Sequence, residues 1–168
     1  TATVVTEQHR EVEGNDHLVL GTVAGVPYGA TTHDKAIVTG VTGVDPTGTV
    51  EYKFFASTGI TGCTGTPLTT ETVAVGVESA SKTNLAPGRY SYLATYSGDT
   101  NYPGTKAAPC EILEVGRATP GVDTDVHAGT DHATDVQATA LPLGTSVHDK
   151  TIITPVDGLA VTGTVTYS

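Results

Sequence analysis

The chain has 168 residues and a net charge of −10, with 32 Thr, 21 Val and 20 Gly, no Met and no Trp. Thr and Val are stiff at χ1 and favour strands, which argues against a helical bundle. No apolar run approaches the roughly 20 residues that span a bilayer, and eight basic against eighteen acidic side chains argue against a nucleic-acid partner, which needs clustered positive charge.

Strands are expected near residues 3–8, 18–24 and 33–40; in the last, alternation does not settle which face is buried. Residues 48–55 place Val50, Tyr52 and Phe54 on one face and Glu51 and Lys53 on the other. Val73, Val75 and Val77 alternate in 72–77. Tyr90, Tyr92, Ala94 and Tyr96 share a face of 89–96, and 110–115 forms a further strand. Turn signals at 44–48, 86–88 and 97–101 separate these segments. Short strands at this spacing mean a sandwich or a barrel. Leu85 to Tyr90 has the spacing of a tyrosine corner, in which a Tyr hydroxyl bonds back to the backbone upstream, and this favours an immunoglobulin-like sandwich. Tyr52, Phe54, Tyr90 and Tyr92 are the expected core, with Val50 and Tyr96.

Cys63 and Cys110 are the only cysteines. They fit neither the paired spacing of a zinc site nor a C-x-x-C redox pair. A disulfide pinning the mid-domain loop to the last strand is expected; the alternative is two buried thiols in a reducing compartment. Phe55 is expected to lie under the Cys63 loop rather than facing outward.

The chain repeats itself. His33-Asp34-Lys35 recurs as His148-Asp149-Lys150, and Thr47 to Val50 recurs as Thr162 to Val165, both at a shift of 115. Asp16-His17 recurs as Asp131-His132, Pro27 as Pro142, Gly29 as Gly144 and Tyr52 as Tyr167. Laid over 3–53 without a gap, 118–168 gives 17 identities. The expected organisation is a complete unit over 1–116 and the N-terminal half of a second over 117–168, a window from a longer tandem array. The second unit's apolar residues, Ile152, Ile153, Val165 and Tyr167, are then expected to be covered by further chain or by another molecule.

The string Pro87 to Tyr92, followed by Tyr96-Ser97-Gly98-Asp99-Thr100-Asn101-Tyr102, resembles the hallmark of bacterial Ig-like repeat domains, as do Gly29 to Gly40 and Pro46 to Val50. Residues 3–28 are an addition to a minimal module of that type. The resemblance implies an all-β, immunoglobulin-like β-sandwich in tandem repeat, second copy incomplete, on a long secreted or surface protein, with no catalytic residues.

Candidate chemistry is sparse. There is no phosphate-binding glycine loop and no nucleophile elbow. His17 and His33, each beside an Asp, recur at His132 and His148, a pattern that a shared metal site or a common ancestral unit would both produce. Asp123, Asp125, Asp131 and Asp135 fall close together at the junction. Calcium binding there competes with a solvated acidic linker. Asp99 and Asn101 lie in the hairpin that follows the tyrosine-rich strand, where loops bind ligands.

The expected function is a non-catalytic structural segment of an extracellular or cell-surface protein, such as a stalk, adhesin or filament. Its expected partners are neighbouring repeats of the same protein or identical chains, with no nucleic acid and no membrane insertion. The alternative is a glycan- or protein-binding module using that hairpin; the absence of Trp weakens it.

Overall fold

A computed structural model of the chain describes residues 1–12, 15–56, 61–130, 135–156 and 159–168, without the side chains of 15–17. Two units are distinguished, Thr1–Arg117 and Ala118–Ser168.

The first unit contains β1 (Thr3–Val12), β2 (Asn15–Val19), β3 (Val23–Val26), β4 (Thr31–Thr39), β5 (Thr49–Ala56), β6 (Thr69–Ala74), β7 (Gly88–Tyr96), β8 (Lys106–Ala107) and β9 (Glu111–Val115). No helix occurs among the described residues. One sheet has the order β2-β1-β4; the other runs β3-β9-β7-β5-β6, with β8 beside β7. Ala2 and Val4 of the N-terminal stretch pack with Tyr96, Tyr102 and Ala108, while Ala36 of β4 packs with Val50, Tyr52 and Ala94. The two sheets therefore share a core, an arrangement compatible with a β-sandwich.

Alternation places this core as expected. Val50, Tyr52, Phe54, Tyr92 and Tyr96 are buried. Tyr90 is only half-buried, because its ring stacks on Phe54 with centroids 5.3 Å apart while its hydroxyl turns back to donate to the Ala86 carbonyl at 3.0 Å. That bond is the tyrosine corner read from the spacing.

Residues 18–24 do not form one strand. Leu20 N still bonds Gln8 O in the first sheet, at 2.7 Å, whereas Thr22 O accepts from Ile112 N in the second, at 2.8 Å. The chain changes sheets at Gly21, and β3 then runs parallel to β9. Gln8 on β1 is fully buried and donates to Ile112 O at 3.1 Å and to Gly21 O at 3.5 Å. A buried amide without partners costs several kcal/mol, so this side chain is tolerated because it ties the crossover to β9. The expected strand over 72–77 stops at Ala74, where Val77 N bonds Ala74 O around Gly76 at φ 89°. Tyr52 holds that turn to the other sheet: its hydroxyl accepts from Ala36 N at 2.8 Å and donates to Val77 O at 3.0 Å.

Cys63 and Cys110 are bonded, with Cα atoms 5.9 Å apart. Cys63 N also donates to Ser91 Oγ at 2.7 Å. Phe55, opposite Ser91 across the β5–β7 pair, is 4% exposed, as the reading beneath the loop requires. Gly62 has φ 58°, and a Cβ there would collide with Ile112 and the Cys110 sulfur, so only glycine fits the approach to the bond.

The second unit contains β10 (Gly121–Ala128) and β11 (Val147–Thr154), paired antiparallel. Its bonds copy those of the first unit. Thr145 N bonds Pro142 O as Ala30 N bonds Pro27 O, each at 3.2 Å, and Leu159 N bonds Val156 O as Val44 N bonds Val41 O, each at 3.0 Å. Thr151 N donates to the Tyr167 hydroxyl at 3.1 Å, the counterpart of Ala36 and Tyr52. Val122, Ile152, Ile153, Val165 and Tyr167 remain exposed.

The pairing also corrects the ungapped overlay. Gly121 pairs Thr154 where Thr3 pairs Thr39, and His127 pairs His148 where His9 pairs His33. β11 therefore matches β4 at a shift of 115, but β10 matches β1 at 118. Asp125 takes the place of Glu7, not of Arg10, and faces Lys150 as Glu7 faces Lys35.

Opening the disulfide by replacing both cysteines with Ser frees a loop with ends 47 residues apart. The chain-entropy model predicts a loss of about 4 kcal/mol in unfolding free energy. Urea melts of the two forms measure it, and a difference under about 1 kcal/mol would refute that account.

Candidate functional site

The β1–β4 register decides which side chains meet. Gln8 and Asp34 are paired, and both point into the space between the sheets. His9 and His33, one residue along, are paired on the opposite face. Each histidine is only 3% exposed even so. His9 Nδ1 lies 3.2 Å from His33 Nε2, with the rings edge-on and their centroids 5.1 Å apart. Glu78 Oε2 lies 3.4 Å from the same His33 Nε2, and Lys35 Nζ lies 3.1 Å from Glu78 Oε1. Glu78 is brought there from the segment after β6, because Ser79 N bonds Asp34 O at 2.8 Å and Lys82 bridges Thr32 along the β4 edge. The other ring nitrogens lie near carboxylates: His9 Nε2 is 3.5 Å from Glu7, and His33 Nδ1 is 3.6 Å from Glu11. His9, His33 and Glu78 have metal-ligating atoms all within 4.8 Å of one another.

On the inner face, Asp34 is fully buried and Glu111, leading β9, is 5% exposed. Burial pushes the Asp34 carboxyl up to about 8, reinforced by the charge of Glu111, and burial pushes Glu111 up to about 7. The two carboxyls act directly on each other, so at least one is protonated near neutral pH.

The other expected site residues are placed as follows. The Asp99 carboxylate accepts from Thr47 N at 2.6 Å and Thr47 Oγ1 at 3.0 Å with one oxygen, and from Asn101 N at 2.8 Å and Tyr102 N at 2.7 Å with the other. The Thr47 backbone bond leads in lowering its pKa to about 2. Asp99 is thus committed to organising its own hairpin, and Asn101 is exposed beside it. Asp123 and Asp125 alternate along β10; Asp135 bridges His127, and its Oδ1 accepts from Gln137 N at 3.0 Å. Asp131 and His132 lie outside the described residues, as do the side chains of Asp16 and His17. His33 lies in a cluster, and its described histidine partner there is His9. In the second unit His127, 5% exposed, stacks on His148 with centroids 5.7 Å apart. Sequence reasoning missed His9 and Glu78. A comparison allowing a three-residue gap would have found His9, since His127 then aligns with it; nothing in the sequence marks Glu78.

No protein-family model matches the chain, and no curated protein or solved structure is similar enough to be matched to it.

The buried carboxyl pair sets the pH dependence. In the unfolded chain both groups ionise near pH 4; in the fold they hold their protons to about 8 and about 7. The fold therefore binds more protons across that interval, and the pair's contribution to stability falls as pH rises from about 4 through about 8. Asp99 works in the opposite direction, and its contribution is lost as pH falls from about 4 towards about 2. Urea midpoints measured from pH 5 to pH 8.5 should fall for the wild type and flatten in Asp34→Asn. An equally steep fall in that variant would mean that other groups carry the dependence.

Proposed function

We propose that this chain is a load-bearing, non-catalytic segment of a long secreted or cell-surface protein, built from immunoglobulin-like units in tandem. The observation that carries this reading is the recurrence of one hydrogen-bonding scheme in both units. Matching sequence alone is weak support, but matching pairs such as Ala36–Tyr52 and Thr151–Tyr167 preserve geometry as well. The antiparallel β7–β9 pair, the parallel β3–β9 pair and the Tyr90 corner fit an immunoglobulin-like sandwich. The disulfide fits an oxidising compartment. The exposed apolar residues of the second unit fit a surface that meets a neighbouring repeat or an identical chain.

Single-molecule extension of the full chain tests the mechanical part. With the 47-residue span between the cysteines closed, about 70 residues of the first unit extend, giving a step of about 250 Å at about 3.6 Å per residue. Under reducing conditions the step should lengthen to about 420 Å. A load-bearing unit gives one discrete force peak; a featureless extension at low force would sink the proposal. A glycan array probed with the same chain should stay blank, and specific retention would favour a binding module instead.

A further inference from the structure

We propose that His9, His33 and Glu78 form a binding site for a first-row divalent cation, of which Zn2+ is the best fit, clipping β1, β4 and the segment after β6 together. The distances carry the argument. Ligands around tetrahedral zinc at about 2.0–2.1 Å lie about 3.3 Å from one another. His9 Nδ1 to His33 Nε2 is 3.2 Å, and His33 Nε2 to Glu78 Oε2 is 3.4 Å. Two edges of the coordination figure are therefore already set, and the third, between His9 and Glu78, is within 4.8 Å. A small turn of the Glu78 side chain closes it.

The surroundings are those of a metal site. A ligating histidine has its second nitrogen turned to a carboxylate or carbonyl, which fixes the tautomer. Here Glu7 lies 3.5 Å from His9 Nε2 and Glu11 lies 3.6 Å from His33 Nδ1, close enough to take up that role with a small side-chain shift. With protons on those other nitrogens, His9 Nδ1 and His33 Nε2, 3.2 Å apart, both offer lone pairs to one cation. Lys35 Nζ holds the other Glu78 oxygen, Oε1, at 3.1 Å. Three carboxylates and one lysine around two imidazoles leave the cluster anionic when the rings are neutral, which favours a divalent cation. Both rings are buried, which shields a bound cation from bulk water. The same paired placement recurs at His127 and His148. With Glu78 placed beside its pair, the first unit is expected to hold the tight site. The two-histidine, one-carboxylate set leaves a fourth position for water.

The experiment is calorimetric titration of the full 168-residue chain, stripped of metal, with Zn2+, accompanied by the visible spectrum with Co2+. One tight site per chain is expected, with the intense d–d absorption of tetrahedral Co2+. Replacing His9 or His33 with Ala should weaken Zn2+ binding at least 100-fold, and Glu78→Gln at least 10-fold, whereas His148→Ala should leave the tight site unchanged. Absence of tight Zn2+ binding would overturn the proposal, as would tight binding that survives loss of His9 and His33 or disappears with His148. Should the alanine variants fail to fold, two-bond 1H–15N spectra of the wild-type imidazoles decide. Zn2+ must move His9 Nδ1 and His33 Nε2 to metal-bound shifts, and unchanged shifts at saturating Zn2+ refute the site.

Discussion

The register of β1 against β4 is the constraint on which the rest of the first unit depends. Side chains along a strand alternate with a period of two, so a slip of one residue would exchange the two faces entirely. In the observed register Gln8 and Asp34 enter the space between the sheets, and His9 and His33 lie on the other side. Slipped by one, β1 would turn Glu7, His9 and Glu11 into the core and expose the amide that secures the crossover at Gly21. The register is fixed at both ends. Val4 packs inward with Tyr96 and Tyr102, and the Gln8 amide reaches Ile112 O on the facing sheet.

The interior this register builds is more polar than an ordinary small core. Gln8, Thr32, Asp34 and Ser91 are fully buried, and Glu111 nearly so. Most of these groups do connecting work. Thr32 Oγ1 meets the Tyr92 hydroxyl at 3.0 Å, Ser91 Oγ accepts from Cys63 N, and Tyr52 links β4 to the turn after β6. Each such bond is modest in net terms, roughly 1 kcal/mol, but leaving either partner unmade costs more. A core wired this way tolerates few alternative packings, because sliding one sheet over the other strands several polar groups at once. The Asp34–Glu111 pair is the exception. It adds a cost that grows with pH, held in place by the same register that supplies the other contacts.

How much of this was legible follows the range of each interaction. The tyrosine corner spans four residues, so its spacing alone revealed it. The core aromatics of β5 and β7 were legible because one face of each strand alternates cleanly. The break at Gly21 was not, since a strand that leaves one sheet and joins another keeps its β-forming composition throughout. The histidine cluster was half legible. His33 stood out by recurrence, yet an overlay without gaps displaced β10 by three residues and matched Asp125 to Arg10, when its pairing partner Lys150 identifies it with Glu7. Glu78 reaches its place through Ser79 and Asp34, a contact across 45 residues that no local pattern encodes.

The second unit separates what local sequence specifies from what a sheet must add. Thr151 N finds the Tyr167 hydroxyl, and the turns at Pro142 and Val156 close as their counterparts do. Residues 159–168 nevertheless include no strand, although Thr162 to Val165 repeats the start of β5. In the first unit β5 lies between β6 and β7, with hydrogen bonds satisfied on both edges. A strand with neither neighbour would leave its backbone groups to water and gain little over an irregular chain. The turn and side-chain bonds therefore form from sequence close at hand, whereas a strand forms only against a paired neighbour. Val165 and Tyr167 stay exposed for the same reason, since Val50 and Tyr52 are buried only where Ala94 of β7 and Ala36 of β4 close around them.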